Sequence, residues 1–132
     1  MTTSIKNYTN TFNIRGKEIK ITAPARFDDS TQKVVPDMTL DNAAIKIAQD
    51  KYCEMFDFVK PEEIKALRQK WNLTQKQFAK VIGGCPSTVA LYEVGEIPTK
   101  SNNRLLKVMI KDSNVMKEFI VESKADSDLE EL

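Results

Sequence analysis

Side chains that could hold a metal or catalyse a reaction are few in this sequence. The 132 residues include two widely spaced cysteines, Cys53 and Cys85, and no histidine. A structural zinc site usually has four Cys or His ligands, and histidine is the commonest general base near neutral pH. No nucleophile–base pair, phosphate-binding loop or metal cluster is visible. The sequence therefore predicts that the chain is not an enzyme and binds no metal or other cofactor.

A different kind of chemistry is indicated by a short stretch in the second half of the chain. Ala79 is small where two helices cross closely, Gly83 can adopt the positive φ of a tight turn, and Val89 gives the second helix an apolar anchor. Thr74 and Gln77 have the spacing of a capping box at the start of the first helix. A plain helical bundle would share some of these features, but their combination favours a DNA-binding helix-turn-helix.

The charge distribution is compatible with this interpretation. Residues 61–122 carry 10 basic and 7 acidic side chains, a net charge of +3, although the whole chain has a net charge of only +1. The last ten residues, 123–132, carry 1 basic and 4 acidic side chains. The basic excess of the middle segment is a modest form of the electrostatic signature of DNA-binding domains.

The elements that position these residues predict an α+β fold with a small N-terminal β-sheet and a helix over residues 1–59. Residues 11–14 and 17–22 alternate in the strand period around a turn at Arg15-Gly16, and Pro24 is expected to interrupt the second strand. A short strand near residues 26–27 or 34–35 completes the sheet. A helix capped by Thr39 or Asp41 runs to about residue 56, with Ile47, Met55 and Phe56 among the apolar residues of one face.

Five short helices are predicted over residues 60–122, followed by a disordered acidic tail over residues 123–132. Pro61 suits the first position of a helix, Gly83-Gly84 suits a left-handed C-terminal cap, and Pro86 opens the next helix. Asn114 is the expected cap of the fifth helix.

A family resemblance covers about residues 60–120. Leu73–Gly83 followed by Ser87–Gly95 resembles the Xre/Cro-type helix-turn-helix, most closely the C-terminal domain of the MqsA-type antitoxins. The Pro-Glu-Glu-Ile-Lys lead-in, the Tyr-Glu-x-Gly ending and a later Leu-Leu-Lys add to the likeness. Upstream, Tyr8-x-x-x-Phe12 with Arg15-Gly16-Lys17 resembles the N-terminal domain of the same antitoxins, which binds zinc through cysteines that this chain lacks.

The resemblance implies that the helix beginning at Pro86 enters the major groove and that residues near its start reach base edges. This implies base contacts for Pro86, Ser87, Thr88 and Leu91: Ser87 would hydrogen-bond to a base edge, and Leu91 would contact a thymine methyl group. Two alternatives stay open, in which Ser87 and Thr88 cap the helix and Leu91 packs into the core.

Phosphate contacts are expected from residues at helix starts and on exposed faces. Gln75 is implied as a phosphate ligand by the resemblance, and Lys76 with Lys80 shares a solvated helix face. Lys100 and Arg104 flank the next helix and are similar candidates. For each cation, an ordinary solvated surface charge is the alternative.

Two further residues of the predicted helix-turn-helix have expected structural roles. Tyr92 is expected in the core with its hydroxyl on the backbone, and Glu93 is expected to bond within the unit.

A single helix-turn-helix binds weakly, so we expect a homodimer on a palindromic operator in double-stranded DNA. The apolar stretches 105–110 and 115–120 are the expected dimer interface, unless the domain's own core takes them.

Three functions are compatible with these features. The first is a DNA-binding transcriptional repressor, an antitoxin-like autoregulator whose residues 1–59 bind a cognate toxin. The second is a phage or mobile-element regulator whose N-terminal half dimerises or binds a non-toxin protein, and the third is an inhibitor protein that represses its own expression. The N-terminus lacks the apolar core of a signal peptide and no long apolar run exists, so we expect a cytoplasmic protein without membrane contact. A Cys53–Cys85 disulfide is not expected in that reducing compartment.

Overall fold

The computed structural model describes the backbone of residues 1–130 and the side chains of residues 1–124. The predicted α+β class is confirmed: a three-stranded antiparallel sheet is followed by six helices. The chain divides into an N-terminal unit, Met1–Asp57, and a helical unit, Phe58–Leu132. The elements are β1 (Thr3–Ile14), β2 (Lys17–Asp28), β3 (Val34–Val35), α1 (Met38–Phe56), α2 (Pro61–Lys70), α3 (Gln75–Ile82), α4 (Pro86–Glu93), α5 (Lys100–Lys111) and α6 (Ser113–Glu130).

The N-terminal unit is built on a long hairpin of β1 and β2. Arg15 and Gly16 form its two-residue turn, both with positive φ (51° and 80°), as a turn that matches the twist of the strands requires. The register runs without a bulge from Ile14↔Lys17 to Thr3↔Asp28. Both strands are much longer than the sequence pattern indicates, because their outer halves do not alternate strictly between apolar and polar residues.

The expectation that Pro24 interrupts β2 is wrong. Pro24 lies opposite Asn7, in the same alternate set of pairs as Thr11↔Lys20. In that set the backbone points away from the partner strand: the Lys20 carbonyl accepts a hydrogen bond from Lys51 Nζ at 2.6 Å instead. A proline at such a position lacks no ladder hydrogen bond, so the strand continues through it.

Helix α1 packs on the sheet through a narrow stripe. Its N-cap is Asp37, whose carboxylate accepts a hydrogen bond from Leu40 N, so the cap lies two residues before Thr39. Ala48 and Tyr52 are buried, whereas Ile47, Met55 and Phe56, which were expected on the same face, are exposed. A sheet this small covers only part of the helix circumference, and residues a quarter-turn away stay outside.

The core of the helical unit gathers side chains from all five of its helices. Ile64, Phe78, Val89, Leu106 and Met116 are fully buried in one continuous cluster. Burying a side chain of this size contributes about 1.5–3 kcal/mol. The core therefore fixes the mutual positions of the short helices, which would not be stable alone.

Two helix ends differ from expectation. Asp112, not Asn114, caps α6, because the Asp112 carboxylate accepts a hydrogen bond from Asn114 N at 2.9 Å. Helix α6 continues to Glu130, where composition predicted a disordered tail from residue 123; residues 131–132 lie outside the described residues. Extending an existing helix needs no new nucleus, so a polar sequence of adequate propensity can continue it.

Neither cysteine forms a disulfide: Cys53 is buried and Cys85 is exposed, and both are free thiols. Among residues 1–130, no helix has the length and apolar character needed to cross a membrane.

Candidate nucleic-acid interface

Helices α3 and α4 and the turn between them form a tightly specified bihelical unit (residues 75–93). At its start, Thr74 Oγ1 accepts a hydrogen bond from Gln77 N and Gln77 Oε1 accepts one from Thr74 N, so the predicted capping box is confirmed. At the turn, Gly83 has φ 74°, and Gly84 N donates to the Ala79 carbonyl at 2.8 Å. This closes α3 with the left-handed cap that its glycines predict.

The packing between the two helices also follows the sequence pattern. Ala79 is fully buried at the helix crossing and Val89 is fully buried on α4, with Phe78 and Tyr92 beside them. These contacts fix α4 by its inner face. The opposite face and the first turn of the helix are left outside the core.

The first turn of α4 carries the residues expected to reach base edges, and it is accessible. Pro86 and Ser87 are exposed and Thr88 is half-buried. Leu91 is 50% exposed, so the alternative that it packs into the core is wrong. The outer surface of α4 therefore presents a hydroxyl-bearing start and an apolar side chain one turn later.

The alternative capping role of Ser87 and Thr88 is also not observed. The N-cap of α4 is Cys85, and no side chain caps the helix. In the described part of the chain, neither hydroxyl of these two residues makes a hydrogen bond. Both groups are thus available to a ligand, and neither is required for the start of the helix.

The expected phosphate contacts lie at the starts of α3 and α5. Gln75 is half-buried at the first position of α3 with Lys76 exposed beside it, and Lys100 and Arg104 are exposed on α5. Among the described side chains, no ion pair involves Lys76, Lys100 or Arg104. Apart from the backbone hydrogen bonds within the helices, no hydrogen bond or ion pair links the eight candidate residues to one another within residues 1–124, so each side chain would act separately on a ligand.

An ion pair that the sequence pattern does not predict holds the bihelical unit to α2. Arg68 Nε donates to Glu93 Oε2 at 2.9 Å and Arg68 Nη2 to Glu93 Oε1 at 2.8 Å, while Nη1 donates to the Leu73 carbonyl at 2.9 Å. The two side chains are only 16% and 6% exposed. The hydrogen bond to Glu93 raises the pKa of Arg68 above its usual value. Glu93 therefore has a structural role, as expected, but the expectation that it bonds within the bihelical unit is wrong, because its partner Arg68 lies on α2.

Two asparagines position α5. Asn102 Nδ2 donates to the Tyr92 hydroxyl at 2.7 Å, which joins the first turn of α5 to the last turn of α4. The tyrosine is in the core as predicted, but its hydroxyl bonds to this side chain and not to the backbone. Asn103 Oδ1 accepts from Val59 N at 2.7 Å in a buried position. Lys100 and Arg104 therefore lie on a helix that is fixed next to α4.

Much of the expected dimer interface belongs to the core of the unit. Leu106, Met109 and Met116 are buried there, as the alternative for these stretches predicted. Val108 and Ile110 of the same stretches remain exposed.

Within residues 1–124 there is no cluster of three or more potential metal ligands.

In comparisons with known proteins, no family model and no curated protein matches the chain.

Proposed function

We propose that the protein is a sequence-specific DNA-binding transcriptional repressor that binds a palindromic operator as a dimer and regulates its own expression. The observation that carries this proposal is the exposure of the first turn of α4. Val89 and Tyr92 fix the helix from inside, and Ser87 and Leu91 project outward. A helix held in this way can enter the major groove of B-DNA without refolding.

The charges around α4 support the same function. Lys76 and Arg104 lie on the helices that flank it and have no ion-pair partner among the described side chains. Cations in such positions contact phosphates on both sides of a groove and fix the register of the inserted helix. Ser87 and Leu91 then provide a hydrogen-bonding group and an apolar contact for base edges.

For the N-terminal unit we propose an antitoxin-like role, binding a toxin encoded by the neighbouring gene. The exposed apolar side chains of α1, including Met38, Ile47 and Met55, support a protein partner for this unit. Co-purification of the two proteins after co-expression tests the role. If the neighbouring product neither co-purifies nor inhibits growth, the function is that of a regulator without a toxin.

The test of DNA binding is a mobility-shift assay on the promoter of the protein's own gene. Ser87→Ala and Leu91→Ala should each weaken binding to this DNA by about fivefold, the equivalent of one hydrogen bond or apolar contact. Lys117→Gln is the control, because Lys117 is exposed on α6 and is not one of the candidate DNA contacts.

Binding to an unrelated duplex of the same length should be weaker, and it should change little with the two α4 substitutions. Equal affinity of the wild-type protein for both duplexes would contradict sequence-specific binding. A Ser87→Ala, Leu91→Ala double variant with wild-type affinity would contradict the assignment of α4.

A further inference from the structure

The sheet of the N-terminal unit has an unusually long free edge. The strand order is β1-β2-β3, so β1 lies at one side, and no other described strand pairs with it. The free edge runs the full 12 residues of Thr3–Ile14. Unpaired edges of this length present a row of backbone donors and acceptors to any suitable strand.

The register shows which residues turn their backbone towards this edge. In the Thr11↔Lys20 pair, the Lys20 carbonyl bonds to Lys51 and Thr11 N bonds to its neighbour, the Asn10 side chain, at 2.8 Å. The pair is therefore of the type without mutual hydrogen bonds, and the same holds for every second residue. The odd-numbered residues of β1 therefore direct their backbone N–H and C=O groups towards the free edge. Thr9 lies in the middle of this set.

The usual protection of an edge strand is almost absent from β1. Exposed edges are normally short, bulged, or interrupted by proline and charged side chains. The β1 sequence TSIKNYTNTFNI contains no proline or glycine, its register has no bulge, and Lys6 is its only charged residue. These features are typical of a strand that is paired with another strand on both sides.

A second copy of β1 complements this edge. In antiparallel pairing about a two-fold axis at Thr9, Thr9 lies opposite Thr9 of the other copy and Lys6 lies opposite Phe12. Because this pairing joins even-numbered residues to even-numbered ones, the half-buried Tyr8 and Phe12 of both copies lie on one face of the combined sheet. No like charges meet, and each Lys6 ammonium can approach an aromatic ring of the other chain.

We infer that two copies of this chain associate through β1, forming one continuous six-stranded antiparallel sheet. The inference supplies the dimer on which the proposed repressor function depends. It also accounts for where that contact lies, since the helical unit uses Leu106, Met109 and Met116 in its own core.

The test is the solution mass of the full-length chain without DNA, measured by light scattering during size-exclusion chromatography. The wild-type protein should have about twice the 15.0 kDa mass of one chain. Thr9→Pro removes an N–H that points to the free edge and that the β1–β2 pairing does not use. Because each of the two copies loses this donor, the symmetric dimer loses two hydrogen bonds. Its dimer dissociation constant should rise by about 30-fold or more.

Thr22→Pro is the matched control. Thr22 pairs with Thr9, and their hydroxyls lie 2.8 Å apart, so both variants lose the same side-chain hydrogen bond. The proline of the control lies on the other side of the hairpin, where Pro24 is already accommodated. The control should remain dimeric. A monomeric wild type, or equal dimerisation of wild type and Thr9→Pro, overturns the inference.

Amide hydrogen exchange of the unmodified protein keeps the inference testable if Thr9→Pro fails to fold. The N–H groups of Ile5, Asn7 and Thr9 should be protected at high protein concentration and exchange faster on dilution. Fast, concentration-independent exchange at these three positions overturns the inference.

The DNA mobility-shift assay separates this inference from the proposed function. Dimerisation through β1 without any shift of promoter DNA would remove the repressor function alone. A specific shift by a wild-type chain that is monomeric in solution would remove the β1 dimer alone.

Discussion

Lys76 illustrates how a single side chain can distinguish a DNA contact from an ordinary surface charge. It is exposed at the second position of α3 and has no ion-pair partner among the described side chains. Each lysine that neutralises a phosphate releases condensed counterions, and this makes the binding constant depend on salt.

We therefore expect Lys76→Gln to weaken promoter binding and to reduce the slope of log K against log salt concentration by about 1. Fluorescence-anisotropy titrations over a series of salt concentrations measure this slope. Lys117→Gln makes the same charge change on α6 and should leave the slope unchanged. Identical slopes for wild type and Lys76→Gln would show that Lys76 is only a solvated charge.

The turn between α3 and α4 depends on the positive φ angle of Gly83. Its φ of 74° is left-handed, and a Cβ placed there would meet no atom within 4 Å. The cost of Gly83→Ala is therefore conformational alone, about 1–2 kcal/mol of unfolding free energy. Gly84→Ala is the control, because Gly84 lacks a positive φ and an added Cβ would make only ordinary contact with Ile82 at 3.7 Å. Urea denaturation that ranks the two variants in the reverse order would contradict this account of the turn.

At the scale of elements, the Arg68–Glu93 ion pair fixes α4 against α2. Removing one partner leaves a largely buried charge without compensation, so Arg68→Met and Glu93→Leu should each lower the unfolding free energy by about 2–3 kcal/mol. The double variant should recover part of this loss, because it leaves neither charge uncompensated. Chemical denaturation of the four proteins gives the coupling energy. Strictly additive losses would indicate that the pair contributes nothing beyond packing.

The start of α1 should make the N-terminal unit sensitive to acid. Hydrogen bonds from Leu40 N and Arg26 lower the pKa of Asp37 below its usual 3.8. A carboxylate with a lowered folded-state pKa stabilises the fold above its unfolded pKa, and this stabilisation is lost as pH falls through the lowered value. The hydroxyl of Ser30 likewise lowers the pKa of Asp28.

Thermal unfolding followed from neutral pH to acid should therefore show a loss of stability that begins near the unfolded pKa. Asp37→Asn should be less stable than the wild type at neutral pH, and its stability should depend less on acid pH. Part of the pH dependence that remains should come from Asp28. An unchanged pH profile in this variant would contradict the proposed cause.

The elements that the sequence predicts well depend on neighbouring residues. Three such features are the capping box of Thr74 and Gln77, the turn at Arg15-Gly16 and the turn at Gly83. Each depends on residues within a few positions of one another, so the residue types alone predict it. The continuation of β2 through Pro24 depends on its pairing with Asn7, which only the register of the whole hairpin determines. Contacts between distant residues were not predictable from spacing either.

Arg68 and Glu93 are such a case, since 25 positions separate them. A signal was nevertheless present, because Glu93 is the only acidic residue between Gln75 and Glu93. For the candidate interface, the residue types and their helix were predictable, whereas the exposure of Leu91 required the structure. The helical phase alone does not decide whether a leucine next to a core position faces inward or outward.

At the scale of the whole molecule, the two units have separate tasks in the proposed function. In that proposal, the helical unit would present α4 to DNA, and the N-terminal unit would join two copies through the long β1 edge. This division is consistent with the small area of one bihelical unit, which binds DNA usefully only when two are linked. It also means that a substitution on β1 should alter DNA affinity only through dimerisation.

The central claim, that the outer face of α4 binds DNA, is tested most directly by amide chemical shifts of the full-length protein during titration with its own promoter duplex. The largest shifts should occur at Gln75, Ser87, Thr88 and Leu91, with smaller ones at Lys100 and Arg104. Shifts confined to the N-terminal unit, or no saturable shifts at all, would contradict the claim.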